Sequence, residues 1–368
     1  MVSDHKKNLL DILTQHQAYL YRASSQSVNE LNKLFNSENV LMLSKLRDLL
    51  DELSEAEKLA LAGGQYTTAN LKEIRDLITQ WFASLNITIS EVFAVSATAL
   101  AVYEANYNAK LYGGKIKEPN GPKLYLRAKK TPLVGGALVE DLLSKIAVNA
   151  RQKVEYAIRD GISSGKTSQE IIQRIRGTKR QNYTDGILAS SQTDIERTVR
   201  TVRSHVANQA CLNSFEELGF EYVKLVATLD GRTSKLCASL DGTVWKVGDP
   251  AIRIPPLHPN CRSILVPVDK DGFLIGNRPF VMDERKVKDI PKDERAQLIG
   301  QIDANTTFKE FFEKADDFFQ NEWLGPKRFK LYKEGNFDFD KFFDPEKRLY
   351  TLDQLRRLDE NAFKELSL

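Results

Sequence analysis

Apolar side chains recur at spacings of three and four through most of the first 112 residues, the period of a helix with one buried face. Leu9, Leu10, Leu13 and Leu20 begin one amphipathic helix, Leu31, Leu34 and Phe35 mark another, and Leu46, Leu49, Leu50 and Leu53 form a further stripe. Ser54 with Glu57 fits a capping box, and Gly63-Gly64 closes the short helix it opens. Further long elements are predicted from about Asn70 to Leu85 and from Ser90 to Leu111, the second rich in Ala and Ser. The pattern is that of a packed helical bundle and carries no catalytic set. The most apolar window, Ile87 to Val102, is interrupted by Thr88, Ser90, Glu91, Ser96 and Thr98, so no membrane partner is expected.

Residues 113–136 break this period with Pro119, Pro122, Pro132 and five glycines, and read as a linker. Helices resume at Ala137 on the stripe Leu138, Leu142, Ile146, Ala150, Val154 and Ile158. Thr167 then opens a short helix that Gly177 closes. Gly165-Lys166-Thr167 lacks the earlier glycine of a phosphate-binding loop, because Asp160 stands there, and no strand precedes it. From about Thr193 to Leu218, Ile195, Val199, Val202, Val206 and Ala210 share one helix face. Arg197 and Arg200 fall opposite and Arg203 on the flank, which predicts guanidinium groups on an open side.

Glu221 to Thr228 alternates polar and apolar residues and predicts a strand. Asp230-Gly231 turns the chain, Asp241-Gly242 predicts a tight hairpin into Thr243-Val244-Trp245, and Arg262 to Val268 closes the sheet with Pro267 at its edge or end. Three or four short strands bury little, so a metal or the preceding helix is needed to hold them. An irregular stretch to Pro291 follows, then a helix from Thr307 to Trp323 with an aromatic stripe, and a last helix from Thr351 to Leu366. The expected class is α+β, predominantly helical. Its parts are a helical region 1–112, a linker 113–136, a core 137–268 of helices plus a small sheet, and an aromatic-rich region 269–368.

Composition adds two constraints. Net charge is only +3, yet residues 151–210 carry eleven basic and six acidic side chains. Arg174, Arg176, Lys179 and Arg180, with Arg197, Arg200 and Arg203, are the candidate contacts for an anionic partner, nucleic acid or an acidic surface, while a solvated basic face pairing with Glu196, Glu216 and Glu217 explains the α-helical arginines equally. Three widely spread cysteines argue against a secreted disulfide scaffold, and the N-terminus lacks the apolar core of a signal peptide. Synthesis in a cytoplasm is the expectation.

The candidate chemistry sits between Ala227 and Val268. Cys237, His258 and Cys261 are donors that zinc prefers, with Asp230 or a water to complete a tetrahedron. Free thiols and a turn-capping histidine explain the same residues. A zinc deaminase needs H-x-E, but the residues two beyond each histidine are Lys7, Ala18, Ala207 and Asn260; H-E-x-x-H is missing too. Cys237 or Cys261 with His258 could make a hydrolase pair, but nothing specifies an oxyanion site. Asp230 and Asp241 could pair as a nuclease, but aspartate before glycine is favoured for backbone reasons alone. The expectation is therefore no enzyme, with a zinc-dependent enzyme acting on nucleic acid as the alternative.

The run D-G-R-T from Asp230, Cys237 seven positions later, L-D-G at Leu240–Gly242 and P-P-L-H-P-N-C-R at Pro255–Arg262 resembles the core motif of the phage Mu F-like family. These are head-morphogenesis, or minor capsid, proteins of tailed bacteriophages. Downstream, Leu324-Gly325-Pro326-Lys327-Arg328 followed by Gly335 and Thr351-Leu352 extends the likeness. Two positions depart from the pattern: Ser263 stands where a further cysteine often follows the arginine, and Thr233 is not a cysteine. The resemblance implies a virion protein inside the capsid near the portal, with the portal protein as partner, and the major capsid or scaffold protein and double-stranded DNA as further ones. It implies roles in head assembly, DNA packaging and ejection, and at most one structural zinc as cofactor.

Overall fold

The computed structural model describes residues 9–114 and 118–368. Its first helix, α1 (Leu9–Asp51), runs unbroken through the leading stripes as far as Leu50, leaving Leu53 just beyond its end. After α2 (Glu55–Ala62), which carries the expected Ser54–Glu57 capping box, α3 (Ala69–Tyr112) joins the two elements predicted on either side of residues 86–89. Neither long helix contains Gly or Pro, so nothing interrupts the ladder of backbone bonds, and polar Asn86 and Thr88 do not break it. By length and mean hydropathy alone α3 could cross a bilayer, which the interrupted window had not suggested. One face of it, including Ile74, Ile78, Leu85, Ile89, Phe93 and Ala97, is nevertheless buried at the centre of the bundle.

The expected linker is not a gap in packing. It contains α4 (Gly121–Lys130), capped by Asn120 with Pro122 in its first turn, and it buries Tyr125 and Ala128 in the bundle core. Then come α5 (Val139–Ser163), α6 (Ser168–Arg176) with its Thr167 capping box, and α7 (Ala189–Glu217). The predicted stripe from Ile195 to Ala210 on α7 is buried in the same core.

The first sheet places β1 (Tyr222–Val226) between β3 (Val244–Lys246) and β4 (Ile264–Val268), antiparallel to both. Pro267 sits opposite Val223 on β4, an edge strand, as expected. Asp241-Gly242 is not a hairpin turn. A short helix, α8 (Lys235–Leu240), precedes it, and Gly242, at φ +83°, takes the left-handed conformation that carries the chain from α8 into β3. A second sheet escaped the sequence reading: β2 (Leu229–Asp230) is parallel to β5 (Asn277–Val281), which pairs antiparallel with β6 (Ile299–Asp303). β2 is only two residues long, and β5 and β6 are half-exposed and interrupted by Pro279 and Gly300, so no alternation marks them.

A four-residue α9 (Arg295–Leu298) leads into β6. The helix predicted from Thr307 to Trp323 is two, α10 (Phe308–Lys314) and α11 (Asp317–Leu324), because Asp316 caps the second and ends the first. Its aromatic stripe is core, joined by Trp323, Phe339 and Phe342, except for Phe318, which faces solvent. After α12 (Pro326–Glu334), the last predicted helix is likewise two, α13 (Leu352–Leu358) and α14 (Glu360–Glu365), with Asp359 capping the latter. A separate small core unites Leu212 and Phe215 of α7 with Val223, Leu225, Cys237, Leu240, Leu257, Cys261 and Leu265, so α7 does back the first sheet.

Candidate metal centre

Cys237 lies in the first turn of α8, where Ser234 accepts its backbone N–H at 3.2 Å. Cys261 follows a turn closed by its own N–H bonded to the His258 carbonyl at 3.1 Å, with Asn260 at φ +59°, a conformation asparagine tolerates. The two elements meet so that Cys237 Sγ is 3.2 Å from His258 Nε2 and 3.7 Å from Cys261 Sγ. Both cysteines are nearly closed to solvent, at 2 % and 6 % exposure, while His258 is half-buried.

Electrostatics make this a poised donor set. The hydrogen bond from Cys237, then that from His258, hold the Cys261 thiol well below its usual range. The Cys237 thiol is pushed up by its bond to Cys261 and by burial. The bond to Cys261 raises His258. His258 Nδ1 lies 2.8 Å from the Pro259 carbonyl, which only an N–H can satisfy, so Nε2 is left to face the sulfurs. Two thiolates on a tetrahedral zinc, each about 2.3 Å from the ion, stand about 3.8 Å apart. The observed sulfur separation matches, and soft donors with a carbonyl-locked imidazole fit zinc chemistry.

Asp230 does not join them. Among the described residues the convergent donors are the two cysteines and His258. The Asp230 carboxylate is instead held by Arg262 at 2.5 and 2.8 Å, by Arg232 at 3.2 Å and by the Thr233 hydroxyl at 2.9 Å. Burial pushes its pKa up, but the Arg262 bond and charge outweigh this and leave it below the ordinary carboxylate value. Buried Ser263 stands near enough to lower the Cys237 thiol slightly against its two larger causes. Asp241 is spent too. It pairs with buried Arg278 at 3.0 Å and accepts the backbone N–H of Ala227 at 2.7 Å and of Phe308 at 2.6 Å. Neither Arg262 nor Arg278 was singled out as a partner in the sequence, where only their charge opposite the two Asp-Gly pairs hinted at it.

A model of the family described as phage Mu protein F like protein matches residues 152–266. This part of the chain belongs to the phage Mu F-like family. The Mu F-like segment runs from within α5 to within β4 and contains the whole donor set; its family is head-related in phages. No curated protein and no solved structure matches the chain.

The cations of the Mu F-like segment are distributed differently from the expectation. The side of α7 predicted to be open is covered by α1 at Arg200 and Arg203. Arg200, 10 % exposed, pairs with Glu196 and donates to Tyr21 O, Ser24 Oγ and Ser25 Oγ of α1, and Arg203 donates to Ser27 Oγ. Arg197 is exposed but paired with Asp194, and Arg174 is paired with Asp160. Arg176 lies 4.7 Å over the Tyr183 ring, and Lys179 and Arg180 are exposed on a single 3-10 turn, without a carboxylate partner among the described residues. His205 and Cys211 make contacts within the bundle: His205 Nε2 meets the Ala128 carbonyl at 3.0 Å, and Cys211 bonds Glu104 and Asn108.

Proposed function

We propose that this chain is a minor head protein of a tailed bacteriophage, seated inside the capsid near the portal and acting in head assembly, with Cys237, His258 and Cys261 holding one structural zinc. The observation that carries the metal is the convergence of two buried sulfurs and a tautomer-fixed imidazole from two separate elements. Those ligands fasten α8 to the loop before β4, which is what a small sheet requires. The cavity that Cys261 borders measures about 30 Å³, room for a water. The partners we assign are the portal protein and the major capsid or scaffold protein. Packaged DNA is a further one, met through Arg176, Lys179 and Arg180 rather than through the covered face of α7.

The reading is tested on immature heads and on the isolated chain. The polypeptide is expected to co-purify with portal rings, and the folded chain to bind one equivalent of zinc that is lost in Cys261→Ser. Hydrolytic activity that disappears in Cys261→Ser without any change in melting would favour an enzyme instead.

A further inference from the structure

The two sulfurs at the centre are close enough for chemistry of their own. They lie 3.7 Å apart, in van der Waals contact, and both are buried, so a thiol at either position meets the other before it meets any further sulfur. The third cysteine, Cys211, belongs to α7 and bonds Glu104 and Asn108 of α3 instead. Cys261 also borders the water-sized cavity, together with Asn260, Arg203 and Ser204, so a molecule as small as a peroxide fits beside that residue.

We infer that Cys237 and Cys261 form a reversible disulfide when no metal holds them, a covalent fastening that replaces the ionic one. This rests on the head-protein reading only for its setting: a chain made in a reducing cytoplasm leaves it inside a virion. With hydrogen peroxide as oxidant the steps balance. The Cys261 sulfur attacks one peroxide oxygen, the O–O bond breaks, and the departing hydroxide takes a thiol proton and leaves as water. The Cys237 sulfur then attacks the resulting sulfenic sulfur. The S–S bond forms, the S–O bond breaks, and a second water carries off the remaining thiol proton. Two thiols and one peroxide give one disulfide and two waters. The neighbouring thiol is what stops oxidation at this stage instead of at sulfinic acid.

The test uses the full chain, stripped of metal with a chelator and treated with dilute hydrogen peroxide in native buffer and in concentrated urea. Peptide mapping without reductant is expected to find Cys237 joined to Cys261, Cys211 still a free thiol, and the link undone by dithiothreitol. Bridging should be several-fold faster in native buffer, because folding holds the sulfurs together. Equal rates in urea, sulfinic or sulfonic acid at Cys261 without a bridge, or links made through Cys211 would overturn the inference. A chain that binds no zinc yet bridges removes the metal and keeps the disulfide; one that binds zinc but never bridges does the reverse.

Discussion

At the scale of single residues, the two aspartates of the motif serve the fold through different arginines. Asp241 and Arg278 are both buried, and the same carboxylate accepts two backbone N–H groups that join β1 to the start of α10. Removing one partner leaves an uncompensated interior charge, so Arg278→Met should lower unfolding free energy by about 3–5 kcal/mol in urea titrations. Asp230 makes a pH prediction. Its folded pKa is depressed, so its stabilisation is complete above the unfolded value of about 3.9 and is lost as pH falls through the folded one. Asp230→Asn should therefore lower the urea midpoint at neutral pH and flatten its fall below about pH 4. Curves for the two proteins that stay parallel into acid would show that Arg262 does not sense this charge. The aspartates were visible in the sequence as turn formers. Their partners were not, because an arginine 32 or 37 positions away is chosen by tertiary packing and not by spacing.

Elements tell the same story on a larger scale. Helical period, caps and stops were readable because they are local: Thr167 with Glu170, Ser54 with Glu57, and the stripe on α7 all act within a few residues. What covers a helix is not local. The pattern put Arg197 and Arg200 opposite the stripe of α7 and Arg203 on the flank, but nothing in it said that the serines of α1 would lie against Arg200 and Arg203. Arg200→Ala should thus act on stability, costing about 1.5–3 kcal/mol for lost charge-assisted bonds and speeding proteolysis near residues 21–27, with DNA retention unchanged. The opposite split is expected at the turn after α6. Gly177, at φ +91°, and Gly186 close the neck of that loop, where an added Cβ on Gly177 would meet the Gly186 nitrogen at 2.7 Å, and Thr178 anchors Asp185 across it. The loop's backbone is held without Lys179 and Arg180. Replacing both by alanine should leave melting unchanged while reducing the slope of log affinity for duplex DNA against log salt by about 1.8, two phosphate contacts' worth. An unaltered slope would move the DNA contact elsewhere.

For the whole molecule, the placement of the centre decides which parts feel it. The bundle of α1 to α7 has its own continuous core and needs no ion. The first sheet has two small cores: one includes Cys237 and Cys261 themselves, and in the other Val226, Val266 and Val268 pack with Leu10 and Leu13 of α1. From α8 the connection runs onward, since Ala238 packs with the Phe308, Phe311 and Phe312 cluster, and the Trp323 indole N–H bonds the Thr233 carbonyl at 3.0 Å just before α8. Loosening α8 therefore loosens the aromatic region behind it, although that region contains no ligand. Chelation in the presence of reductant should accordingly lower, without abolishing, hydrogen-exchange protection in 222–268 and in 308–324 together, while α3 between Ile74 and Leu100 keeps its own. Loss confined to the ligand loop would mean that the ion merely decorates a sheet already held by α7. Loss reaching α3 would mean that bundle and motif fold as one cooperative unit, with the centre fastening both.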